Sequence, residues 1–309
     1  MNWLGVLGKA QKQRGLISAE QAAQLGASFN ALRWARRSHR LECFLPGVYV
    51  LSGTTIDWNV RAHGALLAAG ANAVLSHATA AALYGLPGFP RTDETPIHVL
   101  LPMGERVRLP PGYEVHRSKR PFKSWRLHDE FTVTLLGRTV VDLAAIVDEE
   151  RLEIALDAAH LRWHKLQTWL KKELEGLDPK KHKGVACLKH LFAVRTGAPA
   201  ESPQETLLRR RLRQEGITGA VHQYDICDAR GFIMRADEAF PGHRVAVHFD
   251  SYRWHGDRKT FDKDADQRTR LAALGWLSFE ITSTSVKTGN WPTLLKEALA
   301  AREPQLKLL

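Results

Sequence analysis

Asp237, His248, Asp250 and His255 are the residues through which this chain could do chemistry. They fall in one stretch, Arg235-Ala-Asp237 to Asp250-Ser-Tyr-Arg-Trp-His255, which reads as two strands around a Pro241-Gly242 turn. Val245, Val247 and Phe249 alternate with Ala246, His248 and Asp250, the period of a strand with two different faces. His248 and Asp250 therefore point the same way, and Asp237 on the partner strand can point toward them. His255 follows just past the strand end. Two carboxylates and two imidazoles at one end of a hairpin suit metal-assisted or general acid–base chemistry. Plainer readings compete. Asp237 fits an exposed edge position beside Arg235 and Glu238, and Asp250-Ser251 is good turn chemistry. The coincidence of all four groups on one hairpin favours a site.

Other residues carry two readings each. In Glu201-Ser202-Pro203-Gln204-Glu205, Ser202 suits an N-cap, Pro203 the first helical position and Glu205 the third. That is a capping box, which explains Glu205 without function, while Glu201 lies just before the cap where a site could adjoin it. Tyr252 and Trp254 suit stacking on a base or ribose, or a place in the core. Lys263 lies on a charged helix that is either a solvated face or a phosphate contact. Arg33, Arg36, Arg37 and Arg40 recur at helical spacing and share a face if the helix persists that far. They read as phosphate contacts or as a solvated basic face. Arg209-Arg210-Arg211-Leu-Arg213 adds positive surface near the hairpin.

The elements that must position these residues fall into three segments. Residues 1–53 read as a winged helix-turn-helix: helices over 2–14, 18–25 and 28–37, then a β-wing over 41–51 turning at Pro46-Gly47. Residues 54–196 form a mixed α/β region. It has helices over 58–69 and 76–85, strands over 97–101 and 113–117, and a helical connector from Gly137 to Val194 that contains the basic loop Lys180-Lys-His-Lys183. Residues 197–309 read as helix (203–214), strand (221–227), hairpin (231–250), helix (260–274), strand (276–282) and helix (291–302). The expected class is α/β, in the α+β sense.

Composition narrows the partner. Lys and Arg number 44 against 33 Asp and Glu, a formal net charge of +11. Such a surplus favours a polyanion, and double-stranded DNA is the expected partner. The three cysteines, Cys43, Cys187 and Cys227, are far apart and match neither a metal spacing nor a disulfide framework, so a reducing cytoplasm is expected. No run approaches the roughly 20 apolar residues of a membrane span, and the N-terminus does not read as a signal peptide.

The motifs Glu201-Ser-Pro-Gln-Glu205, Gln223-Tyr224, Arg235-Ala-Asp237, Asp250-Ser-Tyr-Arg-Trp-His255, Phe261-Asp-Lys-Asp264 and Gly275-Trp276 resemble the very-short-patch-repair endonuclease-like domain. That domain is a branch of the restriction-endonuclease-like PD-(D/E)xK fold. Upstream, Arg14-Gly-Leu-Ile-Ser18, Pro46-Gly-Val-Tyr-Val50, the segment from Leu75 to Leu86 and Gly137-Arg-Thr-Val-Val-Asp142 are similar to the AbiEi-type antitoxin module with its winged helix. The resemblance implies a metal-binding Asp237, a Glu-x-Asp motif at 248–250 and a supporting glutamate on the first helix. His248 stands where that Glu would be, and Glu280 where relatives usually carry a basic residue. A hard Mg²⁺ wants oxygen ligands, so imidazole in place of carboxylate weakens the site. The mismatch-specific endonucleases of this branch use one metal-binding Asp plus histidines that align with Asp250 and His255.

Three functions follow from the resemblance. One is a Mg²⁺-dependent endonuclease at mismatched or deaminated bases, with Asp237 on the metal, His255 or His248 moving protons, and Glu201 or Glu205 in support. The second is a metal-independent DNA glycosylase, with Asp250 or Asp237 acting beside His248 on a base flipped against Tyr252 or Trp254. The third is a DNA-binding regulator or antitoxin with a cognate toxin as partner. The density of acid–base groups favours a DNA-processing enzyme, with strand cleavage as the first expectation.

Overall fold

The computed structural model describes residues 3–127, 131–195, 198–249 and 258–302. They form a mixed α/β arrangement with thirteen α-helices and three sheets among the described residues. The chain divides into two compact units, Met1–Arg195 and Thr196–Leu309. Among the described residues no helix is long and apolar enough to cross a membrane.

The first unit opens with α1 (Trp3–Lys12), β1 (Leu16–Ser18), α2 (Ala19–Gln24), α3 (Phe29–Arg37), β2 (Leu41–Leu45) and β3 (Val48–Leu51). Ser18 caps α2 through the Gln21 amide, and the Gln21 side chain answers on the Ser18 N–H, a complete capping box. Ser28 caps α3 through the Ala31 amide. The three strands pair antiparallel in the order β1-β3-β2. β1 was not expected; three residues are too few to show alternation, and all three are buried. Val6, Ala10, Ile17, Leu32, Ala35 and Leu41 close the core beneath the helices.

The unit continues through α4 (Trp58–Ala69), β4 (Val74–Leu75), α5 (His77–Leu83), β5 (Ile97–Pro102), β6 (Tyr113–Ser118), β7 (Ser124–Leu127) and β8 (Phe131–Thr134). These strands make a sheet in the order β6-β5-β4-β8-β7. α6 (Leu136–Leu143), α7 (Glu149–Arg162), α8 (Leu166–Leu174) and α9 (Val185–Val194) complete it. The segment expected as a connector is thus four helices that belong to a core. Leu156, Leu166, Leu170 and Leu188 share one apolar cluster with Ile97, Val99, Leu101 and Val133 of the sheet. Each such fully buried side chain contributes about 1.5–3 kcal/mol. Gly184, just before α9, has φ +82°, and a Cβ there would sit 1.9 Å from the Ala144 carbonyl oxygen. Only glycine lets the loop before α9 rest on the end of α6.

The second unit is α10 (Pro203–Gln214), β9 (Val221–Asp228), β10 (Gly231–Phe240), a 3₁₀ turn over Pro241–His243, β11 (Val245–Phe249), α11 (Arg258–Ala273), β12 (Leu277–Ile281), α12 (Ser285–Thr288) and α13 (Trp291–Ala300). Its sheet runs β12-β11-β10-β9. β9, β10 and β11 are antiparallel, whereas β11 and β12 are parallel, which requires the crossover that contains α11. Leu208, Leu212, Val245, Val247, Trp291 and Leu295 form one cluster. Ile226, Ile233, Ala246 and Leu271 form another, which takes in α11.

Candidate functional site

β10 is an interior strand, so the edge-strand reading of Asp237 is overturned. Glu238, grouped with it in that reading, is fully buried. Continuing the ladder beyond the Glu238↔Val247 and Glu238↔His222 pairs places Asp237 between Gln223 of β9 and His248 of β11. His248 in turn pairs with Glu280 of β12. One polar residue from each of four strands, Gln223, Asp237, His248 and Glu280, therefore makes a row across the sheet.

The row is held by specific contacts. The Phe249 N–H donates to Asp237 Oδ2 at 2.7 Å, which orients the carboxylate. Burial, together with the negative charges of Glu205 and Glu238, pushes the Asp237 pKa up, against the pull of that N–H and of His248. His248 Nε2 lies 3.9 Å from Glu280 Oε1, and its Nδ1 lies 3.3 Å from the Ser278 hydroxyl. Gln223 has φ +49°, a left-handed conformation that a non-glycine residue adopts only when its surroundings enforce it. Its side-chain amide donates to Glu205 Oε2 at 2.9 Å.

Glu205 is buried, and its capping box departs from the expected form. Ser202 Oγ accepts from the Glu205 N–H, but the carboxylate reaches back to the Glu201 N–H rather than to that of Ser202. It also accepts from the Ser202 hydroxyl at 2.9 Å. Glu205 thus both builds the start of α10 and lends its charge to Asp237. Glu201 is exposed, and its charge is felt by Arg235. Lys263 is exposed on α11. Asp250, Tyr252, Trp254 and His255 lie outside the described residues. Among the described residues no group of three His, Cys, Asp or Glu is arranged to hold a metal ion.

Behind the row is a network that sequence reasoning missed. Arg209, expected on the positive surface, is buried; its Nε donates to Glu238 Oε1 at 2.8 Å and its Nη1 to the Ala198 carbonyl at 2.7 Å. His222 Nδ1 lies 2.5 Å from the other Glu238 oxygen. A buried carboxylate survives only with such partners. The alternation around 238 signals a strand, but nothing in it distinguishes an interior strand from an edge.

In the first unit, Arg33, Arg36, Arg37 and Arg40 are all exposed. α3 ends at Arg37, and His39 has φ +53°, so Arg40 does not continue the helical face. Its guanidinium instead lies 4.9 Å from the centre of the Trp34 ring. Phe29 and Trp34 are 75% and 51% exposed, so α3 shows aromatic as well as basic side chains to its surroundings. Elsewhere in the unit His77, His98 and His116 stack, with 3.6 Å between the His77 and His116 ring centres and His98 Nδ1 3.0 Å from His116 Nε2. Burial and the neighbouring imidazoles lower His77 to about 2 and His98 to about 4.

No protein-family model matches the chain. It is 30% identical over 223 residues to the uncharacterized proteins MT2308 and Rv2248 of Mycobacterium tuberculosis, strains CDC 1551 / Oshkosh and ATCC 25618 / H37Rv. Each match covers 71% of this chain and 77% of the relative. Among solved structures, that of the RV2827C protein from the same species matches at 18% identity and a TM-score of 0.37, covering 63% of this chain and 81% of that one. A likeness of that size carries no structural argument. The identity and extent of the two matches decide the relationship: the chain belongs to the same family as MT2308 and Rv2248.

Proposed function

We propose that this protein binds double-stranded DNA through its N-terminal segment and acts, with the polar row of its second unit, on a mismatched or damaged base. The order helix–strand–helix–helix–strand–strand supports reading residues 1–53 as a winged helix-turn-helix with α3 as its recognition helix. Four strands with a parallel crossover after an opening helix support reading the second unit as a very-short-patch-repair endonuclease-like member of the PD-(D/E)xK fold.

The observation that carries the enzymatic reading is the carboxylate–imidazole–carboxylate sequence Asp237, His248, Glu280 along adjacent strands. It suits hydrolysis of a glycosidic bond without metal. His248, backed by Glu280, donates a proton to the departing base as the bond to the sugar breaks. Asp237, held by the Phe249 N–H, offsets the positive charge growing on the sugar, and water completes the abasic site. The second reading, Mg²⁺-dependent strand cleavage, is favoured by the charge of Glu205 acting on Asp237, a strand and a first-helix carboxylate together. Mg²⁺ demands near-octahedral oxygen ligation, and these two groups, each already accepting protein N–H bonds, do not supply it by themselves.

The test uses end-labelled duplexes carrying a mismatch, uracil or hypoxanthine, incubated in Mg²⁺ or EDTA and resolved with and without hot alkali. The expected result is breaks in EDTA that need alkali, reduced about 100-fold or more in His248→Gln and Asp237→Asn. Breaks that need Mg²⁺ but not alkali establish the endonuclease instead. Intact DNA in every lane, with tight binding, leaves a DNA-binding regulator.

A further inference from the structure

The first unit contains a cavity of about 370 Å³ between the end of β6, α6 and the loop that leads into α9. Arg117, Lys119, Arg120, Arg138, Lys181 and Lys183 line it, against one acidic lining residue, Asp142. So many like charges around one concave space repel one another, and an anion relieves that repulsion. The cavity also has apolar walls, from Met103, Val141, Leu177 and Val185. The basic loop Lys180-Lys-His-Lys183 has no part in the DNA chemistry above; here its Lys181, His182 and Lys183 form one side of a half-open cleft.

The cationic side is built rather than incidental. The Arg138 side chain is only 12% exposed. Its Nε donates to Asp142 Oδ1 at 2.8 Å and its Nη2 lies 3.3 Å from Ser118 Oγ, so the guanidinium is gripped along one edge. Ser118 Oγ donates in turn to the Arg120 carbonyl, and Arg120 Nη1 donates to the Glu173 carbonyl at 2.9 Å. Asp142 is buried, and its second oxygen has no hydrogen-bond partner among the described residues. The opposite side is fixed by Gly184, whose backbone lies against Ala144 and Ala145 and seats the Lys181–Lys183 segment beside α6. Asp178 meets Lys181 at 3.9 Å, but that pair is exposed and weak.

We propose that this cavity binds a free organic phosphate of mononucleotide size. Arg138 and Lys183 take the phosphate, and the apolar wall takes the organic part. The volume lies within the usual range of small-molecule sites, roughly 300–1,000 Å³. A guanidinium fixed along one edge keeps its remaining N–H groups for a planar pair of phosphate oxygens. The apolar side distinguishes such a ligand from inorganic phosphate alone. The proposal does not rest on the DNA-processing reading.

Titration calorimetry on the full chain with AMP and with inorganic phosphate tests it. The expected result is saturable one-to-one binding of AMP, at least tenfold tighter than inorganic phosphate. Arg138→Gln should weaken it about tenfold or more, and the exposed double variant Lys181→Gln/Lys183→Gln several-fold. The loop variant keeps the test decisive if Arg138→Gln, which strands Asp142, fails to fold. Absence of saturable binding overturns the proposal, as does equal affinity for the two probes. So does unchanged affinity in the loop variant, or a loss confined to duplex DNA, which would make the cavity part of a DNA surface.

Discussion

The depressed imidazoles of the first unit tie its stability to pH. His98 is lowered from 6.5 to about 4 and His77 to about 2, so the unfolded chain takes up these protons first as pH falls. Their contribution is present above pH 6.5 and is lost as pH falls from 6.5 toward those values. Asp142 works in the opposite sense: burial raises it from 3.8 to about 6, so its contribution is largest in acid and is lost as pH rises through about 6. His98→Gln should therefore flatten the rise of unfolding free energy with pH between about 4 and 6.5 by up to roughly 1.4 kcal/mol per pH unit. Urea titrations of both proteins across that range measure it, and parallel curves would sink the idea. The sequence made Asp237 and His248 visible through strand alternation. It could not reveal Arg209, Glu238 and His222 as a network, because they lie on three different elements and meet only when the sheet is formed.

Among the elements, the segment between α6 and α9 depends most on one residue. Gly184 combines a left-handed backbone with direct contact on Ala144, so Gly184→Ala meets both strain and backbone overlap. A loss of about 2–4 kcal/mol is expected, seen as a lowered midpoint in thermal melting. Gly176→Ala is the control, with a similar φ of +70° but open space around its Cβ position, and it should cost less. Local signals explain why so many elements were legible. Ser28 and Ser202 each cap a helix, and the residue types announce those starts, whereas the start that Asp148 caps lay unseparated inside the expected connector. β1, β4, β7 and β8 escaped notice because two to four residues carry no period, and β1 and β4 pair only with strands distant in sequence. α3 ends at Arg37, as the helix expected over 28–37 does; only the conditional extension of its basic face to Arg40 fails, because the backbone turns at His39.

For the whole molecule, a net charge of +11 makes any association with DNA strongly dependent on salt. If Arg33, Arg36, Arg37 and Arg40 each meet a phosphate, log affinity should fall with log salt at a slope of roughly −3 to −4. Arg33→Ala should reduce that slope by about 0.9, measured by fluorescence anisotropy over a salt series; an unchanged slope would remove α3 from the interface. The composition raises the expectation of a polyanion, but it does not disclose the cavity of the first unit, whose basic residues come from separate segments of the chain. The crossover between β11 and β12 has its own consequence in time. β9, β10 and β11 follow one another through tight turns, so three positions of the polar row form locally, whereas Glu280 joins only after the long connection through α11 closes. Until then β11 presents an unpaired edge carrying Val245, Val247 and Phe249, a template for a strand of another chain. A second unit in which that crossover has not closed is therefore the form expected to aggregate at high concentration, and the same closing step that completes the row removes the hazard.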